Sequence, residues 1–288
     1  MFHTVKITAI SIRPKKWDKD YNADKMERFF RNASKENPDI VIAPEGVLEG
    51  YVVLDVLEGH RTSDEALEIA EPIDGPYITR FQSLAAELKT CLCFGFAERI
   101  GTDVFTTAIF IDSQGDILGR YHKTQLAEGT DASCNFNRVG NKLRAFDTPF
   151  GRAGFVICND RFNPMIVRTL VLDGAQFILL PSYHQPSSNA RHQNKTVLAR
   201  SRENGVPIVE ANVGMSLIIN KGEIKSFTYG HDQFITTTID VPANPSSLRA
   251  RQLENEYLAL QGREMAQRYK ETLKRIKGDP TAQTNLWY

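Results

Sequence analysis

The sequence predicts an α/β sandwich folded as one domain, followed by a helical arm. Three observations carry this. Strand-like apolar runs alternate with amphipathic helical stretches over roughly 240 residues, the pattern of an α/β domain. No internal repeat or low-complexity linker interrupts them. After Pro242 the chain turns charged and loses the alternation.

The elements follow in order. Val5 to Ile12 (VKITAISI) alternates apolar and polar side chains, as a half-buried strand does. Between Asp24 and Ala33, residues Met26, Phe29, Phe30 and Ala33 share one helical face. Asp39 to Ala43 is a short buried strand stopped by Pro44, and Ile78 to Leu88 is an amphipathic helix. Leu92 to Ala97 and Phe105 to Ile111 are strands. The turn Ser113-Gln-Gly-Asp joins the second to Ile117–Tyr121 and adds antiparallel character. Ala153 to Ile157 is a strand, with a helix from Pro164 to Asp173 behind it. Strands at Phe177–Leu180, Ile208–Ala211, Met215–Ile219 and Phe234–Val241 and a helix at Asn194–Asn204 complete the series. This gives a domain over 1–241 and an arm over 242–288. Arg249 to Lys277 of the arm holds eight basic and four acidic residues with a partial apolar stripe. Packing on its own subunit and service as an oligomer arm both need such a stripe.

Composition excludes several classes. Lys plus Arg and Asp plus Glu each number 35, so the formal net charge is zero. A balanced chain has no global reason to bind nucleic acid or an anionic membrane. Hydrophobic residues at 41% rule out disorder. No apolar run approaches the roughly 20 residues that span a bilayer. The opening MFHTVKITAISIRPKK lacks the apolar core of a secretory signal, so a cytoplasmic location is expected. Four cysteines, Cys91, Cys93, Cys134 and Cys158, are then expected to be reduced. Cys91 and Cys93 sit two apart in a strand-like run, which puts both on one face as small core hydrophobes.

Three reactive side chains stand at strand ends, where α/β folds build their sites. Glu45 follows DIVIAP, Lys123 follows ILGRYH, and Cys158 follows AGFVI. Each alone has an ordinary reading: a turn acid, a surface lysine, a buried thiol. Together they make a nucleophile, a general base and an oxyanion-stabilising cation. Cys158 precedes a helix, so the dipole and a nearby ammonium are expected to favour its thiolate.

The blocks DIVIAPEG, GDILGRYHKTQL, TPFGRAGFVICNDRFNP, DGAQFILLPS and LARSRENGVPIVEANVG, in this order, resemble the nitrilase superfamily of carbon–nitrogen hydrolases. The resemblance runs from about residue 5 to 241. It implies a four-layer-forming αββα sandwich with two central mixed β-sheets flanked by helices, and subunits paired as a dimer. It implies a catalytic triad of Glu45, Lys123 and Cys158, with the backbone N–H of Asn159 at the oxyanion. It implies hydrolysis of an amide or N-carbamoyl bond of a small molecule through a thioester, with no metal and no cofactor. Nitrile hydrolysis through a thioimidate is the alternative, as is a catalytically weak binding or scaffold member. The lack of C-x-x-C argues against a thiol oxidoreductase.

The sequence departs from the family in two places. Many members carry a second glutamate before a glycine in this region, where EGTDASCNFNRVG places Ala132 or Ser133. Glu128, which matches in chemistry, and Asp131, which is closer in position, are the candidate replacements. The block Cys158-Asn-Asp-Arg161 most resembles N-carbamoyl-D-amino-acid amidohydrolases, which carry two arginines where this chain has Arg161-Phe162. Arg161 is therefore either a clamp for a substrate carboxylate or a structural ion pair with Asp160 or Glu203. Phe162 favours a smaller or more apolar substrate, and His184 is a candidate pocket residue. His184 and His192 have no metal-ligand spacing. Arg200 and Arg202 are expected to tie elements together, and His122 to sit structurally on the face away from Lys123.

Overall fold

Apolar runs with β-branched residues on both faces pair into two six-stranded sheets. The computed structural model describes residues 2–127, 137–184 and 190–243, with Glu264, Gln267, Lys270, Glu271 and Lys274 beyond. The first sheet holds β1 (Phe2–Ser11), β2 (Ile40–Ile42), β3 (Cys91–Ile100), β4 (Asp103–Ile111), β5 (Ile117–His122) and β12 (Gln233–Pro242). Their order is β12-β1-β2-β3-β4-β5. The second holds β6 (Phe146–Thr148), β7 (Gly151–Phe155), β8 (Phe177–Ser182), β9 (Ile208–Asn212), β10 (Met215–Asn220) and β11 (Glu223–Tyr229), ordered β11-β10-β9-β8-β7-β6. Both sheets are mixed. Strands β1, β2 and β3 run parallel, as do β7, β8 and β9, and the outer pairs are antiparallel.

Every second residue of the central strands points between the sheets. Ile7, Ile40, Cys91, Cys93 and Phe110 from the first meet Phe155, Phe177, Leu179 and Val209 from the second. Cys91 and Cys93 thus share one buried face, as their spacing predicts. The alternate residues face helices. Helices α1 (Lys19–Ser34) and α4 (Pro76–Leu88) cover the first sheet through Met26, Phe30, Ile78 and Phe81. Helices α5 (Pro164–Leu172) and α6 (Ala190–Asn204) cover the second through Ile166, Leu170 and Val197. The layers are therefore α, β, β and α. Burial on both faces is why the parallel strands read as continuous apolar runs.

Local chemistry fixes the helix starts. Asp18 caps α1 by accepting from the Tyr21 N–H at 3.0 Å, and Asn163 caps α5 ahead of Pro164. The β4–β5 turn closes where the Asp112 carboxylate accepts from the Gln114 and Asp116 N–H groups. Three aromatic rings tie the sheets together. Phe146 lies 4.8 Å from Phe155 and 5.7 Å from Phe110, centroid to centroid.

Five elements escape the sequence reading, the 3₁₀ helix Cys158–Phe162 among them. Edge strand β11 is largely exposed, so EIKSFTY carries little alternation. Strand β6 has three residues, and helices α2 (Val53–Leu57) and α3 (Ser63–Ile69) have five and seven. Periodicity needs longer windows than these. The chain divides into compact units at 1–245 and 246–288. The described residues of the second unit are helical.

Phe155 is buried in the layer between the sheets. Phe155→Ala should lower unfolding free energy by about 3–5 kcal/mol in urea denaturation. A loss below about 1 kcal/mol would mean that this layer is not closely packed.

Candidate active site

The parallel strands of each sheet present their C-terminal ends to one rim. Beyond β2 the chain continues alongside β3, with Ala43 N–H to the Cys93 carbonyl at 2.8 Å and Gly95 N–H to the Pro44 carbonyl at 3.0 Å. A Cβ on Gly95 would lie 2.7 Å from the Glu45 Cα, so only glycine lets the two backbones approach this closely. The Glu45 N–H donates to the Ser182 carbonyl at 3.3 Å, joining the two sheets at this rim.

Glu45 and Lys123 are both fully buried. Lys123 Nζ donates to Glu45 Oε1 at 2.6 Å, and the Tyr183 N–H donates to Oε2 at 2.9 Å. Lys123 is fixed through its backbone, N–H to the Thr106 carbonyl and carbonyl from the Gly140 N–H. Such a pair is costly to desolvate and much costlier to break by removing one member.

Cys158 opens a five-residue 3₁₀ helix (Cys158–Phe162) with φ at +43°. That is the left-handed region, rare for a side chain with Cβ and a sign of a constrained position. Its Sγ lies 3.8 Å from the Tyr183 carbonyl. Tyr183 therefore receives the thiol on its carbonyl and gives its N–H to Glu45, which puts thiol and carboxylate on one stretch of backbone. Glu45, Lys123 and Cys158 come together as the sequence suggests.

The ionisation of Cys158 departs from expectation. Burial pushes the thiol up to about 11, and the charge of Glu45 adds to the rise. Lys123 and Arg161 oppose it without reversing it. The first full helix, α5, starts only at Pro164 with Asn163 as its cap, which leaves Cys158 beyond the turn over which a helix dipole acts.

Asp160 holds the Cys158 segment against the Lys123 segment. It is fully buried and accepts from the Ile157 N–H (2.9 Å), the Tyr121 hydroxyl (2.8 Å) and the Gln125 N–H (2.9 Å). Tyr121 and Gln125 stand on either side of Lys123. Burial raises the Asp160 pKa against these bonds. Asn159 donates its side-chain N–H to the Leu126 carbonyl at 3.1 Å.

The remaining candidates divide. Arg161 is buried, and its ion pair is with neither Asp160 nor Glu203 but with Glu210 of β9 at 2.7 Å. Phe162 is exposed at the end of the 3₁₀ helix. His184 is half-buried beside the site, its N–H on Asn212 Oδ1 at 2.8 Å, and burial and the Arg161 charge lower its pKa. His122 bonds Glu98 at 3.0 Å on the outer face, and Arg200 and Arg202 brace other segments, as expected. Glu128, Asp131 and Cys134 lie outside the described residues, as does the side chain of His192. Asp55, Glu58 and His60 have ligand atoms within 4.8 Å of one another, but Asp55 is bonded to Lys16 and Trp17.

Sequence reasoning missed Tyr183, Glu49 and Glu210. The last carried a signal, a carboxylate inside the apolar strand IVEAN. Glu49 lies in the turn after Glu45 and is buried, with Oε2 accepting from the Ala97 N–H at 2.9 Å.

Comparison decides the family. The family model for carbon-nitrogen hydrolases matches residues 6–240. The chain belongs to the carbon–nitrogen hydrolase family. It is an enzyme of the amidase and nitrilase kind. A probable nitrilase of Schizosaccharomyces pombe is 27% identical over 238 residues, 81% of this chain and 80% of that protein. N-carbamoylputrescine amidase of Oryza sativa subsp. japonica is 28% identical over 224 residues, 74% and 72% of the two chains. An amidase from Nesterenkonia sp. shares the fold of this hydrolase, with a TM-score of 0.71 at 19% identity, over 88% of this chain and 96% of that one.

Burial raises the Glu49 pKa from 4.5 to about 7, with Glu45 adding to the rise. Between these values the folded state holds a proton that the unfolded state has lost, so stability falls as pH rises through this window. The full span amounts to roughly 3 kcal/mol. Glu49→Gln should remove this slope. Its stability relative to the parent should rise by about 2–3 kcal/mol between about pH 4.5 and 8 in urea denaturation. A pH-independent difference would contradict the assignment.

Proposed function

We propose that this hydrolase cleaves the carbon–nitrogen bond of a small amide or N-carbamoyl compound through a Cys158 thioester. The observation that carries the reading is the bracket formed by Tyr183, with Glu45 on its N–H and the Cys158 thiol on its carbonyl. A thiol with a pKa near 11 is almost wholly protonated at neutral pH, so the nucleophile needs a base at hand. Glu45 takes the thiol proton as sulfur bonds to the carbonyl carbon. Lys123 and the Asn159 N–H stabilise the oxyanion. Glu45 then gives its proton to the departing nitrogen, and the carbon–nitrogen bond breaks. Water, losing a proton to Glu45, attacks the thioester carbon, and the leaving thiolate recovers that proton.

The relatives support this chemistry. Structures of the Nesterenkonia amidase include a cysteine-to-alanine variant in complex with butyramide. Another, a glutamate-to-glutamine variant, shows acrylamide added to the active-site cysteine. Arg161 donates to three protein partners, which favours a substrate without a carboxylate at this position. His184, its pKa lowered by burial and by the Arg161 charge, adds no positive charge to this side of the site. The nitrilases among the relatives support nitrile hydrolysis as the second reading. The protein acts as a homodimer in this proposal, supported by Phe162, Met165 and Leu172, which are exposed on the outer side of the second sheet. A reducing, cytoplasmic setting is supported by the free thiols Cys91, Cys93 and Cys158.

Butyramide, N-carbamoylputrescine, N-carbamoyl amino acids and an aliphatic nitrile should be assayed for ammonia release. Amide or N-carbamoyl turnover is expected, with an acyl adduct on Cys158 by mass spectrometry. Cys158→Ala should lower turnover by about a thousandfold or more. Ammonia release that survives the substitution contradicts the nucleophile, and a protein inert to the whole panel favours a binding role. Light scattering should give a dimer mass, and a monomer would remove that part of the proposal.

A further inference from the structure

The guanidinium of Arg161 is buried beside the nucleophile, and every nitrogen is engaged. Nε donates to the Cys158 carbonyl at 2.7 Å, Nη1 to Glu210 Oε1 at 2.7 Å, and Nη2 to Ser182 Oγ. The Arg161 carbonyl in turn accepts from Arg200 Nε at 3.2 Å. Glu210 is fully buried and also accepts from Asn212 Nδ2 at 3.1 Å. Arginine's planar fork suits this geometry, since one rigid group reaches the 3₁₀ helix, β8 and β9 at once.

We propose that Arg161 is a positioning residue for the nucleophile: clamped by Glu210 and Ser182, it holds the Cys158 carbonyl and with it the left-handed backbone that presents Sγ. Glu210 has a second effect in this arrangement, because its charge offsets the guanidinium next to the thiol. The inference rests on Cys158 being the nucleophile.

Three features support it. The backbone of Cys158 sits at φ +43°, a conformation that persists only when its surroundings over-determine it. The Nε bond falls on the carbonyl of that same residue. The partners of the guanidinium are protein groups on two neighbouring strands, which a substrate clamp would not need. The groups whose charges reach Sγ are Glu45 beyond β2, Lys123 beyond β5, and Arg161 on its own helix, with Glu210 of β9 behind Arg161. The Tyr183 carbonyl beyond β8 accepts from it, and Asp160, on its own helix, is turned to Tyr121 and Gln125.

The test alkylates Cys158 with iodoacetamide at pH 8 and maps the labelled peptide. Below the thiol pKa, the rate follows the thiolate fraction, so half a pH unit is about threefold in rate. Glu210→Gln keeps an acceptor for Nη1 and removes the offsetting charge, so alkylation should be about threefold faster. Arg161→Gln should make it about threefold slower. Arg161→Lys keeps the charge and loses the fork. Its alkylation should stay within about twofold of the parent while kcat on the best amide falls about tenfold or more, with KM within about threefold. If Arg161→Gln fails to fold, the Glu210→Gln and Arg161→Lys results decide. Unshifted alkylation in Glu210→Gln, or a higher KM at unchanged kcat in Arg161→Lys, overturns the inference. Turnover by Cys158→Ala would overturn the nucleophile instead, a separate result from unshifted alkylation in a protein that needs Cys158.

Discussion

The fully buried ion pair between Glu45 and Lys123 is the constraint around which the site is arranged. Neither charge can be left in the interior without the other. Their elements must therefore meet: Glu45 from the end of β2, Lys123 from the end of β5, with β3 and β4 between them in the same sheet. The second sheet completes the pair's surroundings, because the Tyr183 N–H binds the second oxygen of Glu45. The sandwich thus delivers three chain segments to one point, and the apolar layer between the sheets holds them there.

The same burial that makes the pair obligatory works against ionisation of Cys158. The thiol rises to about 11, with Glu45 as the second cause after desolvation. A resting protein with a neutral thiol and an ionised carboxylate has one charge fewer to bury than one with a preformed thiolate. In the proposed reaction the proton moves only when substrate arrives, and the developing oxyanion replaces the Glu45 carboxylate, neutralised by that proton, as the charged partner of Lys123. Glu49 belongs to the same electrostatic neighbourhood, as a second buried carboxyl whose pKa is raised partly by Glu45.

Much of this was legible in the sequence. The strands of both sheets show as apolar runs because they are buried on one or both faces, and Glu45, Lys123 and Cys158 stand at strand ends. What could not be read is pairing at long range. Arg161 finds Glu210 on β9, 49 positions on, rather than its neighbour Asp160, whose oxygens are taken by Tyr121, Ile157 and Gln125. Tyr183 acts through its backbone, which its side-chain type does not announce. Local pattern shows helix proximity but neither the desolvation of the Cys158 thiol nor the Glu45 charge beside it, which together raise its pKa. Exposed β11 and three-residue β6 lack the periodicity that marks strands elsewhere.

The central claim is that Cys158 rests as a neutral thiol and depends on Glu45 to lose its proton. Ultraviolet thiolate absorbance, titrated in the parent and in Cys158→Ala and taken as a difference, measures this directly. A difference signal that emerges only in alkaline solution, with a midpoint near 11, is the predicted result. A thiolate signal already developed at neutral pH would contradict it and would make Lys123, rather than Glu45, the group that activates the nucleophile.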